Sequence, residues 1–265
     1  MTTPPTGSAA GGTGTFAPRP GAAPLHRQVL AQAGMEARLL LRNGEQLLLA
    51  VVIPVIVLVG GVQAGDRVGL DFDHPVVDVL TPGVLALAVL STAFTSLAIA
   101  TGFERRYGVI KRLGSSPLPR SGLLLGKGLA LLLVELLQTV VLSAVGLALG
   151  WDPAAGVLGA LLAVVLGTAA FAALGLFLAG WLRAEATLAA ANLVYLLLMA
   201  GGAVVLPASA YGWFGDLVGW LPSGALGGAM RTALIDGATA WRDLAVLLGW
   251  AVAGTALTAR TFTWE

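Results

Sequence analysis

The chain has 265 residues, 57% hydrophobic and only 11% charged, with a formal net charge of +1. A soluble domain carries roughly 25% charged residues, so a water-soluble globule is excluded and an integral membrane protein is implied. Cysteine is absent, which excludes disulfides and thiolate sites, while His26 and His74 lie outside the apolar runs and offer neither metal-ligand spacing nor a Ser-His-Asp arrangement.

Residues 1–24 are rich in Pro, Gly, Thr and Ala and lack an apolar h-region, so they read as a disordered cytoplasmic tail and not a signal peptide. In 25–43, Leu30, Ala33, Ala37 and Leu41 recur at helical spacing, with Arg27, Gln28, Gln32, Glu36 and Arg38 mostly elsewhere around the helix. Two readings stand: an interfacial amphipathic helix in the headgroup layer, or an extension of the first span. Six runs then approach the ~20 apolar residues that a crossing needs. They are Leu47–Ala64, Leu80–Phe103, Leu123–Gly150, Gly156–Leu182, Thr187–Leu206 and Leu244–Ala259. The expected fold is an all-α polytopic membrane protein with six transmembrane helices.

Lysine and arginine concentrate on the cytoplasmic side. With the N-terminus inside, that side collects Arg19, Arg27, Arg38, Arg42, Arg105, Arg106, Lys111, Arg112, Arg120, Lys127, Arg183 and Arg260. Only Arg67, Arg231 and Arg242 fall outside, and both termini are expected in the cytoplasm. The outer loop from Asp66 to Asp78 lacks diphosphate-site spacing and reads as solvated.

The connection 103–121 is the most charged stretch. Glu104, Arg105 and Arg106 mark the exit of the second span, Gly108 permits a break, and Lys111 and Arg112 continue the charge. Pro117-Leu118-Pro119 stops any helix. A plain positive-inside anchor needs no apolar residues, yet Val109, Ile110, Leu113 and Leu118 are interleaved here, which favours a short element presented to a protein partner. Gly122 to Gly128 is one residue too short for a phosphate-binding loop and lacks its Ser or Thr. It reads as close helix packing, with Lys127 snorkelling to the inner headgroups.

Glu135 is the one acid within a span, and Gln138 lies three residues on. An ionisable group at that depth is costly unless protonated, hydrated or paired. Glu135 either faces a translocation path or is packed between helices, paired with Asn192 or Thr168. The connection 207–242 holds Trp213, Phe214, Trp220 and Trp241 among Gly and Pro, too apolar for a solvated loop. Two short helices dipping into the outer leaflet fit it, as an outer re-entrant segment whose bent backbone must be buried in protein or face water.

These residues carry a resemblance. Leu80-Thr81-Pro82-Gly83, then Glu104-Arg105-Arg106-Tyr107-Gly108, Lys111-Arg112-Leu113, Pro117-Leu118 and Gly126-Lys127 resemble the permease subunits of ABC-2 type exporters, the daunorubicin/doxorubicin-resistance and polysaccharide-export group. Arg42 and Pro54, Leu221-Pro222 and Ala229-Met230-Arg231 extend it over most of the chain from Arg38 onward. Val109 departs from the threonine common after the glycine. The resemblance implies a six-span domain over 44–265 in a bacterial cell (inner) membrane, exporting an amphipathic drug, lipid or related compound. It implies a homo- or heterodimer of permeases served by two copies of a separate ATP-binding subunit, which holds the ATP and magnesium; no cofactor sits on this chain. Glu104, Arg105, Arg106, Tyr107, Gly108, Lys111, Arg112, Leu113 and Pro117 would couple to that subunit. Glu135 and Gln138 would line the path, and Trp213, Phe214, Trp220 and Pro222 would close it outside. Neither catalysis, metal binding nor nucleic-acid binding is implied; membrane lipids are the other partner. Two readings from other classes use Glu135 differently: a proton-coupled secondary transporter, and a membrane-embedded lipid-modifying enzyme.

Overall fold

The structure, a computed structural model, describes residues 23–42, 44–68, 72–113 and 118–261. Most of the expected N-terminal tail lies outside the described residues, as does Pro117. Among the described residues the chain is all-helical, with no strand.

The second expected span is the axis of the fold. Val76–Leu90 (α3) continues through a π-helical turn, Ser91–Ser96, into Leu97–Arg106 (α4). The rod is roughly 45 Å long at 1.5 Å per residue. This exceeds a hydrocarbon core of about 30 Å, so its charged end projects beyond the apolar layer. From Val77 to Leu90 every residue except Asp78 is buried, as expected of a helix that is apolar all round.

Gly44–Val68 (α2), Arg120–Ala148 (α6), Val157–Trp181 (α7) and Pro222–Leu234 (α10) pack around this axis. Ala184–Gly201 (α8) lies against α4, and Trp241–Thr261 (α11) along α7. The core joins Leu87 and Leu90 to Leu58, Leu142, Phe171, Leu226 and Leu247. Phe94, on the π turn, meets Phe171 edge-on with centroids 6.5 Å apart.

Five of the described helices, the α3–α4 rod with α6, α7, α8 and α11, are long and apolar enough to cross a membrane. The first expected span falls in α2, whose described apolar stretch is Ala50–Gly65 and shorter than a full crossing. The fifth expected span is shifted: its helix is Ala184–Gly201, and the chain then unwinds, with Ala203 at φ 51°. Val204, Val205 and Leu206 are apolar, but their backbone is not helical.

Leu25–Arg42 (α1) lies along α6. Ala33 and Ala37 of the expected stripe are buried there, together with Val29 and Gln32, while Leu30 and Leu41 are exposed. The contact face thus includes Gln32, one of the polar residues expected mostly elsewhere around the helix. Val109–Leu113 (α5), Gly215–Val218 (α9) and a 3₁₀ turn at Ala208–Phe214 complete the chain.

Contacts sort these elements into two ends. Arg105, Arg106, Lys127 and Arg183, all assigned inside by charge, gather where α4, α6, α7 and α8 meet. At the opposite end the Asp152 amide donates to Asp78 (3.1 Å), and Trp250 Nε1 donates to the Trp220 carbonyl (2.9 Å).

Candidate functional site: the arginine-rich end and its internal clamp

Gly108 ends α4 and turns the chain into α5. Its φ of +67° is the left-handed conformation that glycine adopts without steric cost. Ile110 anchors α5 at 4% exposure, whereas Tyr107, Val109, Lys111 and Arg112 are exposed and Leu113 is half-buried. Arg112 donates back to the Tyr107 carbonyl (3.4 Å). The exposed residues around this turn are therefore Arg106, Tyr107, Val109, Lys111 and Arg112.

Glu104, Arg105 and Arg106 turn toward their own chain. Arg105 donates to the carbonyls of Ala179 and Gly180, which caps the C-terminal end of α7 where the helix dipole favours a cation. Arg106 pairs with Glu185 in the first turn of α8. Glu104 accepts from Lys127 Nζ at 2.8 Å, and Lys127 also lies 2.9 Å from Glu36 on α1.

The expectation that Lys127 snorkels to the headgroups is thereby corrected. Its side chain is 7% exposed and held between two carboxylates from different helices. An ammonium so buried requires such partners, because its desolvation must be offset by direct charge pairing and hydrogen bonds. Gln32 donates to Glu36 (2.9 Å) and steadies it. Next to Lys127, a Cβ at Gly126 would come within 2.7 Å of Gln32 Cγ, so the glycine lets α1 approach. The Gly126-Lys127 pair is the seat of α1: one residue gives space and the other gives charge.

Within the bundle, Glu135 is 1% exposed and Gln138 fully buried. Thr168 Oγ1 lies 2.6 Å from Glu135 Oε2 and 2.7 Å from the Val164 carbonyl oxygen. A hydroxyl has one proton, so both contacts are satisfied together when the carboxyl carries a second. Of the two partners considered, Thr168 is the one in place. Gln138 accepts from Thr92 on the π turn (2.9 Å) and donates to the Ala50 carbonyl (2.8 Å), tying α2, α6 and the axial rod.

At the opposite end Trp213, Phe214 and Trp220 are exposed, and Arg242 sits over the Trp220 ring at 5.0 Å. Pro222 is buried at the start of α10, a position that lacks an obligatory N–H donor. Arg231, expected as an outer topological charge, is buried. It donates to the carbonyls of Ala203, Val204, Val205 and Leu206 at 2.8–3.1 Å. Burial lowers the guanidinium to about 10, and it stays charged at neutral pH. One side chain thus satisfies the unwound backbone after α8, as a low-dielectric setting demands. A Cβ at Gly83 would lie 2.4 Å from the Val205 carbonyl oxygen and 2.9 Å from the Arg231 guanidinium, so the rod can pass this knot only as glycine.

Residues 74–260, well over half of the chain, match the family described as ABC-2 family transporter protein. The chain belongs to the ABC-2 transporter family. A search of curated proteins finds no match. As a member of this family the chain is a membrane-embedded permease subunit, which works with an ABC ATP-binding subunit. In this ABC-2 permease, the Pro82-Gly83 and Gly126-Lys127 motifs acquire physical reasons: passage of the rod by the Arg231 knot, and the seat for α1. The match begins after α1 and α2, so Glu36 lies outside it. Sequence reading missed Glu36, Glu185 and Arg231 as structural partners. Glu185 and Arg231 stand out as charged residues on otherwise apolar helices, whereas Glu36 is one of several polar residues on α1, and in each case the partner is distant in sequence.

Proposed function

We propose that this permease is the membrane half of an ATP-driven exporter of the daunorubicin-resistance-like group, moving an amphipathic drug, lipid or related compound out of a bacterial cytoplasm. Two copies of a separate ATP-binding subunit drive a dimer of permeases. Each docks on α5 and the preceding Tyr107. The observation that carries this reading is the exposed Tyr107, Val109, Lys111 and Arg112 set at the end of a continuous buried span. A rigid knob on such a rod transmits a rigid-body motion from one end to the other. Glu104, Arg105 and Arg106 contribute by fixing the knob to α6, α7 and α8. Trp213, Phe214, Trp220 and Pro222 belong to the outer gate of the path between permeases, while Glu135 and Gln138, buried within one permease, hold its own helices together.

The test is co-purification with the ATP-binding subunit from a neighbouring reading frame, followed by a screen for compounds that stimulate ATP hydrolysis. Tyr107→Ala with Lys111→Glu is expected to abolish co-purification while the permease still inserts. Undiminished binding by that variant would refute the docking assignment.

A further inference from the structure

An open cleft of about 380 Å³ lies between the end of α4 and the α7–α8 corner, lined by Gly102, Arg105, Arg106, Trp181, Arg183 and Glu185 among others. We propose that it binds the phosphate-bearing headgroup of an anionic membrane lipid. The inference rests on the membrane-spanning fold and is independent of the docking assignment for α5.

Charge selects an anion. Three guanidinium groups face one carboxylate across the cleft. Arg105 is pinned by the carbonyls that end α7, so it is a fixed cation in the wall. Arg183 makes no ion pair among the described residues. The Arg106–Glu185 pair is exposed at 50% and 64%, and an exposed pair is weak and readily exchanged. A phosphate can replace the carboxylate and accept two parallel N–H bonds from one guanidinium. The 18-residue helix α8 also begins here without a side-chain cap, adding the positive end of its dipole.

Depth selects a lipid over a free phosphate. Trp181 is the last residue of its span, 68% exposed and stacked on Phe177 at 6.1 Å. An exposed indole at a span terminus belongs at the headgroup layer. Leu188, one turn into α8 and 41% exposed, continues the apolar flank along which acyl chains would run. Basic clefts between spans on the cytoplasmic side suit anionic headgroups. Occupancy would bridge the end of α4 to the α7–α8 corner, directly ahead of Gly108 and α5.

The test is native mass spectrometry of the full chain released from nanodiscs of phosphatidylglycerol mixed with phosphatidylcholine. The expected result is selective retention of phosphatidylglycerol, falling roughly five-fold for each arginine removed in Arg183→Gln and Arg106→Gln. Lys111→Gln, on α5 and outside the cleft, should retain the lipid. Arg183 is exposed, so Arg183→Gln reads out the site even if Arg106→Gln disturbs the α4–α8 contact. Equal retention of the two lipids overturns the proposal, and so does displacement by millimolar glycerol phosphate, which would mark a site for soluble phosphate. It also fails if Arg183→Gln leaves lipid retention intact but loses the ATP-binding subunit, because the cleft would then be a protein contact.

Discussion

Lys127→Met removes the cation from between Glu36 and Glu104 and leaves a side chain of similar length. The two carboxylates are 12% and 21% exposed and lie 2.9 and 2.8 Å from the lost ammonium. Breaking a buried pair from one side costs about 3–5 kcal/mol, since the remaining charge keeps its desolvation penalty without a partner. Two such carboxylates remain here, and they also repel each other. Thermal unfolding of the purified permease, followed by tryptophan fluorescence, should show a fall in midpoint on the order of 10 °C. Because α1 is held to α6 at this point, limited proteolysis should cut near α1 earlier than in the parent. The triple variant Glu36→Gln, Glu104→Gln, Lys127→Met removes all three charges and should recover most of the loss, as replacement of buried ion clusters by neutral groups commonly does. A Lys127→Met effect no larger than the ~1 kcal/mol of a surface pair would refute the reasoning. A triple variant as unstable as the single one would show that packing, not charge, was lost.

Gly83→Ala should prevent accumulation of folded protein, measured by fluorescence-detected size exclusion, because its Cβ would meet backbone oxygen at 2.4 Å and overpacking costs about 1–3 kcal/mol or more. Arg231→Met leaves the carbonyls of residues 203–206 without their donor. At about 1–3 kcal/mol per buried unsatisfied group, it should raise hydrogen exchange in 203–206 and lower the unfolding midpoint. Arg231→Lys should rescue this only in part, because an ammonium cannot reproduce the planar fork. Glu135→Gln should change stability by less than about 1 kcal/mol, since the amide can donate to Thr168 as a protonated carboxyl does. A large loss would show that the native carboxylate is ionised.

The spans were legible because apolar runs of this length have few alternatives, and the axial rod, α6, α7 and α11 lie close to where hydropathy puts them. Positive charge placed Arg105, Arg106, Lys127 and Arg183 together, and the structure gathers them at one end. What hydropathy could not give was direction around the helix. Lys127 at the start of a span reads as a headgroup lysine, and only the fold brings Glu36 of α1 and Glu104 of α4 onto it. Arg231 reads as a loop charge because its acceptors are backbone carbonyls, which carry no residue signature. Val204, Val205 and Leu206 read as helix for the same reason: composition reports burial, not whether a backbone bonds to itself or to a distant side chain. The docking segment was legible as a mixed charged and apolar run, but which members face outward depended on the turn at Gly108.

The π turn at Ser91–Ser96 has a geometric consequence for everything beyond it. One extra residue in a helical turn advances the following chain by about 100° of rotation relative to an uninterrupted α-helix. Glu104 and Arg105 reach Lys127 and the α7 carbonyls with that offset included. Deleting a single residue between Ser91 and Ser96 would leave the span long enough and apolar enough, yet swing Glu104 more than a quarter-turn away from its lysine. The angular setting of α5 is thus fixed near the middle of the rod, far from the surface on which it is displayed.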